Sequence, residues 1–490
     1  MFLTMGVGLY TSRLVLDALG VVDYGIYGLV GGIVTIFAFL NSAMASATQR
    51  YLSFDIGKND GDRLQKTFNA TLNIHILLAV CIFILAETIG LWLVNTQLEI
   101  PPERVYAANW VYQFSVFAFI LKVMQVPYNA LLLARERMDV YAYLSILETA
   151  LKLAMVLYLV KANTDKLILY SILTFGLAFI IRMAYKLYCK KHFKESRYKF
   201  YWNKAYYQEL LTYSGWNLFG AFAMVVRGQG SNILLNIFFG PVANAAYALT
   251  LMVQGIIGSF VSNFQTAANP QIIKNYAVGD KQSSLNLIYK TSKFSFFGIL
   301  IWAVPLWLNL EYVMNLWLKE VPPYVMDFIR LALVYTMIDA ISTPLVTGAQ
   351  ATGKIKWYQI IIGTLIMFTF PITYFFFTKY QNPMDLYKVI IGISALSLLF
   401  RLLFLRKLMN LSLSVFFKEV ILRISLVVLS LYIGAKIFTL TPSNNFLDFL
   451  MVTALSVLIT SFLILLIGLT RTEHFYLINL LKNKLPKYLK

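Results

Sequence analysis

The chain has 490 residues, of which 59% are hydrophobic and only 13% charged, about half the charge of a typical soluble domain. Its mean hydropathy is +0.68. A chain this apolar could not cover itself in polar surface, so a soluble globular fold is excluded. The net charge of +19 would suit nucleic acid, but the basic residues cluster in alternate loops between apolar runs, so nucleic acid is not an expected partner. Two cysteines, Cys81 and Cys189, give no disulfide framework. Three histidines, His75, His192 and His474, stand too far apart in sequence to form a metal-ligand motif.

Long apolar runs recur from end to end, as in Ile74–Leu93, Leu167–Ile181 and Phe446–Leu469. Each, with its flanks, is long enough to cross a hydrocarbon layer of roughly 30 Å as a helix. Backbone groups in lipid must be satisfied within their own segment, and the period-2 alternation of a barrel is not evident. The pattern therefore predicts an all-α integral membrane fold of about fourteen transmembrane helices. The spans fall near 1–19, 24–49, 68–95, 105–133, 140–160, 167–185, 212–239, 242–268, 294–318, 325–351, 357–378, 386–405, 419–438 and 446–470. The first is short for a crossing, and its natural start is expected to lie earlier. It runs through Arg13 and Asp17 without the small-residue pattern of a cleavable leader.

Loop charge sets the orientation. The loops at 50–67, 134–139, 186–211, 269–293, 352–356 and 406–418, with the tail at 471–490, hold 27 of the 42 Lys and Arg residues. The alternate set holds 5. By the positive-inside rule the basic set is cytoplasmic, and both termini lie inside. The run from Lys186 to Arg197 is mainly such a topology signal, with contact to anionic lipid headgroups as an added role.

The chain repeats itself. Gly20 and Tyr27 match Gly240 and Tyr247 at a shift of 220, and Ala47-Thr-Gln49 lies opposite Ala267-Ala-Asn269. Further on, Pro127, Ala134 and Tyr141 match Pro344, Ala351 and Tyr358 at a shift of 217. The pattern predicts two pseudo-symmetric six-helix lobes, 1–205 and 206–410. Residues 411–490 are left as spans 13 and 14 with a basic cytoplasmic tail. Six is even, so the lobes share one orientation, with a symmetry axis along the membrane normal. Paired bundles of this kind are a common transporter architecture, although fold alone does not fix function.

Catalytic constellations are scarce, and an enzyme is not expected. The stretch from Gly348 to Lys354 imitates a phosphate loop, but Ile355 stands where Ser or Thr should hold Mg²⁺ and a membrane helix precedes it. It reads as a cytoplasmic turn. With no nucleotide engine, a secondary transporter is favoured. Charges inside spans are then the informative residues, because burying one in lipid costs several kcal/mol unless it meets protein or water. Arg13 and Asp17 lie one turn apart and can pair, as can Glu148 and Lys152. Lys122 and Asp339 occupy equivalent repeat positions, each five residues before its lobe's proline, with opposite charge. They either face each other across the gap between lobes or pair locally. Arg227 lies within span 7, and Arg50 ends span 2. Arg182, Arg330, Lys388, Arg401, Arg423 and Lys436 lie nearer span ends, where snorkelling explains them. Glu87 is deep in span 3 and is a proton carrier or the acceptor of a bond from another helix. Arginines and lysines with few carboxylates suit an anionic cargo.

Leu9-Tyr-Thr-Ser-Arg13, Asp17-Ala-Leu-Gly20, Asp23-Tyr-Gly-Ile-Tyr27, the block from Asn41 to Arg50, and Ala349-Gln-Ala-Thr-Gly353 resemble a known family. These are the Wzx-like polysaccharide flippases of the multidrug/oligosaccharidyl-lipid/polysaccharide exporter superfamily. The resemblance implies flipping of an undecaprenyl-diphosphate-linked oligosaccharide, for surface polysaccharide, across a bacterial inner membrane. It implies alternating access through a cationic cavity, coupling to H⁺ or Na⁺, and no bound cofactor. A polysaccharide polymerase and glycosyltransferases are the implied partners, beside membrane lipids. The family's span-1 arginine falls on Arg13. Lys122, Arg227 and Arg50 are expected to join it at the headgroup on physical grounds, with Asp339, Glu87, Asp17, Glu148 and Lys152 in coupling or gating. A multidrug exporter or a lipid II flippase of the same fold is the alternative. A membrane glycosyltransferase or polymerase would need a larger extramembrane loop than any present.

Overall fold

The computed structural model describes residues 2–35, 38–96, 100–318, 321–437 and 445–475. It is helical throughout. In chain order the helices are α1 (Phe2–Thr35), α2 (Ala38–Gly57), α3 (Gly61–Leu85), α4 (Leu91–Thr96), α5 (Val105–Ala134), α6 (Met138–Lys161) and α7 (Lys166–His192). There follow α8 (Lys204–Ala277), α9 (Lys281–Leu308), α10 (Leu310–Trp317), α11 (Val325–Ala351), α12 (Lys356–Met367), α13 (Thr369–Tyr380) and α14 (Asp385–Met409). The last are α15 (Leu413–Phe416), α16 (Leu422–Ile437) and α17 (Phe446–Leu463).

Among the described residues, eleven helical segments are long and apolar enough to cross a membrane. They coincide with ten expected spans of the two lobes and with the last span. The other three expected spans fall on α1, α2 and α16, each adjoining residues outside the described set. Several helices overshoot their expected limits. The α3–α4 segment runs from Gly61 to Thr96 as one crossing of 36 residues, joined by a π turn at Ala86–Gly90. Hydropathy marks where lipid ends, whereas a helix ends where its backbone finds a cap. Asp60 supplies that cap for α3, its carboxylate accepting the Arg63 N–H at 2.9 Å.

The repeat reappears as backbone geometry. Gly20 breaks α1 at φ 77°, ψ 168°, and Gly240 breaks α8 at φ 73°, ψ −172°. This region is essentially closed to residues with a β-carbon, which accounts for glycine at both places. Asn59 and Gly279, again 220 apart, share positive φ, and each is followed by an aspartate that caps the next helix. Glu136 and Gly353, 217 apart, share it as well. Pro127 and Pro344 each sit inside a helix, α5 and α11.

The chain forms two compact units, Met1–Ala221 and Phe222–Lys490. In the first, α5 packs along α7, α2 and α3, around Leu52, Phe68, Leu131, Leu132 and Tyr185. In the second, α11 packs on α9 and α14, and α17 lies against α9. Lipid is as apolar as leucine, so close packing rather than burial from water holds such contacts. Gly348 illustrates this. A β-carbon there would lie 2.6 Å from Ile288 Cδ1 and 3.0 Å from Leu405 Cδ2. The glycine that imitates a phosphate loop is a packing residue inside α11, and Gly353 lies in the turn that follows. Lys293, 1% exposed, reaches Glu473 beyond α17 with Nζ to Oε2 at 2.6 Å.

Candidate functional site

Polar and charged groups gather in one place in each unit. In the first unit a cavity of about 230 Å³ is lined by Asn41 of α2, Lys122, Gln125, Val126 and Asn129 of α5, Glu148 of α6, and Ala178 and Ile181 of α7. Lys122, Gln125 and Asn129 are spaced i, i+3, i+7, which sets them on one helix face. The Oδ1 atoms of Asn41 and Asn129 are buried without a hydrogen-bond partner in the protein. Lys122 has no ion pair among the described residues, although Glu148 lines the same cavity. The expected Glu148–Lys152 pair does not form: among the described residues no ion pair joins them, and Glu148 is turned to the cavity instead.

In the second unit the groups are packed against one another. Arg227 of α8 donates from Nη2 to the Tyr335 hydroxyl at 2.9 Å, and its guanidinium stands 5.1 Å from the centre of that ring. Asp339, one turn beyond Tyr335 on α11, acts electrostatically on both Arg227 and Tyr335. Arg401 of α14 acts on Tyr335 and Tyr358, and its Nε is buried without a hydrogen-bond partner. Tyr247, Tyr335, Tyr358 and Tyr387 are all buried. The position equivalent to Lys122 is thus a carboxylate with two arginines in its own unit.

The other expected residues separate. Arg13 lies on α1, but its side chain falls outside the described residues, so its pairing with Asp17 does too. Asp17 is exposed. Arg50 is buried among aromatic rings. It is 7% exposed and its guanidinium stacks 4.4, 4.8 and 5.3 Å from the ring centres of Tyr51, Phe54 and Tyr213. Aromatic faces attract a planar cation of this kind, within α2 and seven residues before its end. Glu87 sits in the π turn and accepts from Gln113 Nε2 at 3.0 Å, the bond from another helix, while its Oε1 is buried without a partner. The Tyr112 hydroxyl braces the turn by donating to Ala86 O at 2.7 Å. Such turns occur frequently at functional sites.

Sequence reasoning missed Asn41, Gln125, Asn129 and Arg401. The i, i+3, i+7 spacing from Lys122 was the available signal for two of them. Arg401 looked like a snorkelling residue because only packing reveals that it turns inward.

No family model and no curated protein matches the sequence. Solved structures do. An outward-facing multidrug resistance MATE family transporter of the MOP superfamily aligns with TM-score 0.73 at 14% identity, covering 84% of this chain and 94% of its own. The chain has a MATE-like fold. The MATE transporter ClbM in complex with Rb⁺ aligns at 0.64 and 19% identity, with 84% and 94% covered. A MOP superfamily transporter from Pyrococcus furiosus aligns at 0.66 and 14% identity, with 83% and 94% covered. That protein is described as having a binding pocket of reversed polarity that suggests a different function. The two-lobed fold expected from the repeat is therefore present, and the narrower flippase resemblance is a matter of proposal.

Proposed function

We propose that this chain is a secondary transporter for an anionic, sugar-bearing lipid, of the class of an undecaprenyl-diphosphate-linked oligosaccharide, moved from the inner to the outer leaflet of a bacterial inner membrane. The carrying observation is the cavity of the first unit, where Lys122, without an ion pair among the described residues, stands among Asn41, Gln125, Asn129 and Glu148. An ammonium that makes no ion pair is costly at membrane depth unless water or an anion meets it. Phosphate oxygens would pair with it, and the amides and Glu148 offer donors and acceptors to sugar hydroxyls. Arg227 and Arg401 would add positive charge on the other unit's side, and Arg13 is assigned to the headgroup by resemblance alone. Asp339 and Glu87 are the proposed coupling groups for H⁺ or Na⁺. A Lys122–Asp339 pair is proposed for only part of the cycle.

A cation-coupled multidrug exporter is the second reading, favoured by what the similar structures are named to be. The two readings part in one experiment. Vesicles containing the purified chain are offered a fluorescent polyprenyl-diphosphate oligosaccharide and, separately, a cationic dye under an H⁺ or Na⁺ gradient. Flipping of the anionic lipid, lost in Lys122→Ala and retained in Lys122→Arg, supports the first reading. Dye export that ignores both substitutions overturns it.

A further inference from the structure

The segment joining α7 to α8 carries a feature that transport of any cargo leaves unexplained. Tyr198, Phe200 and Trp202 are 53%, 74% and 66% exposed, an unusual display of aromatic surface on a connecting segment. Around them Lys190, Lys191, Lys194, Arg197 and Lys199 are exposed as well.

The segment is strapped to α3. The Lys199 N–H donates to Asn69 Oδ1 at 2.9 Å, and the Tyr198 hydroxyl donates to Asn73 Oδ1 at 2.9 Å. Asn73 Nδ2 donates to the Tyr207 hydroxyl at 2.8 Å, which in turn donates to the Tyr201 carbonyl at 2.9 Å. Arg135 pairs with Glu195 at the segment's start. These bonds hold the backbone from Tyr198 to Tyr201 against α3, and the Trp202 ring rests 4.6 Å from that of Tyr207.

The depth of the segment can be read from α3. The crossing Gly61–Thr96 is 36 residues long. At 1.5 Å per residue it measures roughly 54 Å, against a hydrocarbon layer of roughly 30 Å. The surplus, shared between two ends, is about eight residues at each. Asn69 and Asn73 then stand at the boundary between headgroups and hydrocarbon. Sequence agrees, because the long apolar run opens at Ile74 and its first exposed apolar side chains are Ile76 and Leu77. Aromatic rings belong at this level, and exposed basic residues beside them meet anionic headgroups.

We propose that residues 190–202 form a docking strap for anionic phospholipid, with Phe200 and Trp202 set among the acyl-chain ends and the basic residues on the headgroups. The partner is the lipid surface itself, chosen by charge complementarity and by depth. The proposal is independent of what the chain carries.

An environment-sensitive dye at Phe200→Cys, in a Cys81→Ser, Cys189→Ala background, tests it. In vesicles of equimolar phosphatidylcholine and phosphatidylglycerol the emission should shift to the blue and be quenched by lipids bearing a shallow nitroxide. Changing the five basic residues to Gln should weaken the dependence on phosphatidylglycerol by about fivefold per charge removed. A dye that stays in water, or one quenched equally in phosphatidylcholine alone, overturns the proposal. So does a shift that needs an added soluble protein. Should the labelled background not fold, phosphatidylglycerol retained by the otherwise unsubstituted chain is counted by mass spectrometry. Equal retention with and without the five basic residues would have the same overturning force.

Discussion

The two units use one backbone plan for opposite chemistry. At equivalent positions the first has Lys122, without an ion pair among the described residues and facing a cavity of amides and Glu148, and the second has Asp339, one turn from the Tyr335 that accepts from Arg227. The first arrangement leaves polar groups open to a cavity, whereas in the second Arg227 is met by a tyrosine hydroxyl of its own unit. Packing differs in the same sense. Leu131 fills the core of the first unit at the place where Gly348 admits Ile288 and Leu405 in the second. A duplicated fold can therefore keep its turns and prolines while equivalent positions take side chains of opposite charge and different size.

The sharpest way to break that comparison is to unpair a buried charge of the second unit. Glu473→Gln would strand the Lys293 ammonium and should lower unfolding stability by about 3–5 kcal/mol, read from denaturant melts in detergent. Acid should mimic it. Burial pushes the Glu473 carboxyl up, but the hydrogen bond from Lys293, with those involving Thr470, outweighs it and the net direction is down. A depressed carboxylate stabilises above its ordinary range, and that stability is lost as pH falls through its lowered value. Wild type and Glu473→Gln should thus converge in strong acid, and a constant gap would count against the ion pair. Next in size, Tyr335→Phe removes the acceptor of the Arg227 bond and should cost about 1.5–3 kcal/mol in the same melts. Gly348→Ala should cost about 1–2 kcal/mol, because the two methyl groups it meets can yield only in part.

The smallest stability change belongs to the first unit. Lys122→Ala removes a side chain with no ion pair, so the melt should move by no more than about 0.5 kcal/mol. Transport should nevertheless fall to background. A large loss of stability there would mean that both units are built alike, and the contrast would disappear. Exchanging the charges, Lys122→Asp with Asp339→Lys, refines the question. Rescue of transport in the double variant would reveal a pair that forms during the cycle, and no rescue would leave each charge to its own unit.

Much of the fold was legible because membrane crossing imposes simple rules. Apolar length gave the helices, and the spacing of Gly20, Gly240, Pro127 and Pro344 gave the repeat. What escaped depends on side chains from helices distant in sequence. Arg50 gives no hint in sequence that Tyr213, far along the chain, supplies a ring to it. Glu148 and Lys152 had the spacing of a pair, but nothing in spacing says that one of them turns to a cavity. The break between α12 and α13 near Phe368 was by contrast a local signal, because Pro371 has no N–H for the Met367 carbonyl four residues back.

The break at Gly240 also limits how this chain can be handled. The crossings Lys204–Gly240 and Val242–Ala277 are separated by Pro241 alone, with no loop between them. Epitope tags, protease sites and reporter fusions need slack chain that can bulge outward. At this vertex an inserted peptide would prise two crossings apart before it could report which side of the membrane it occupied.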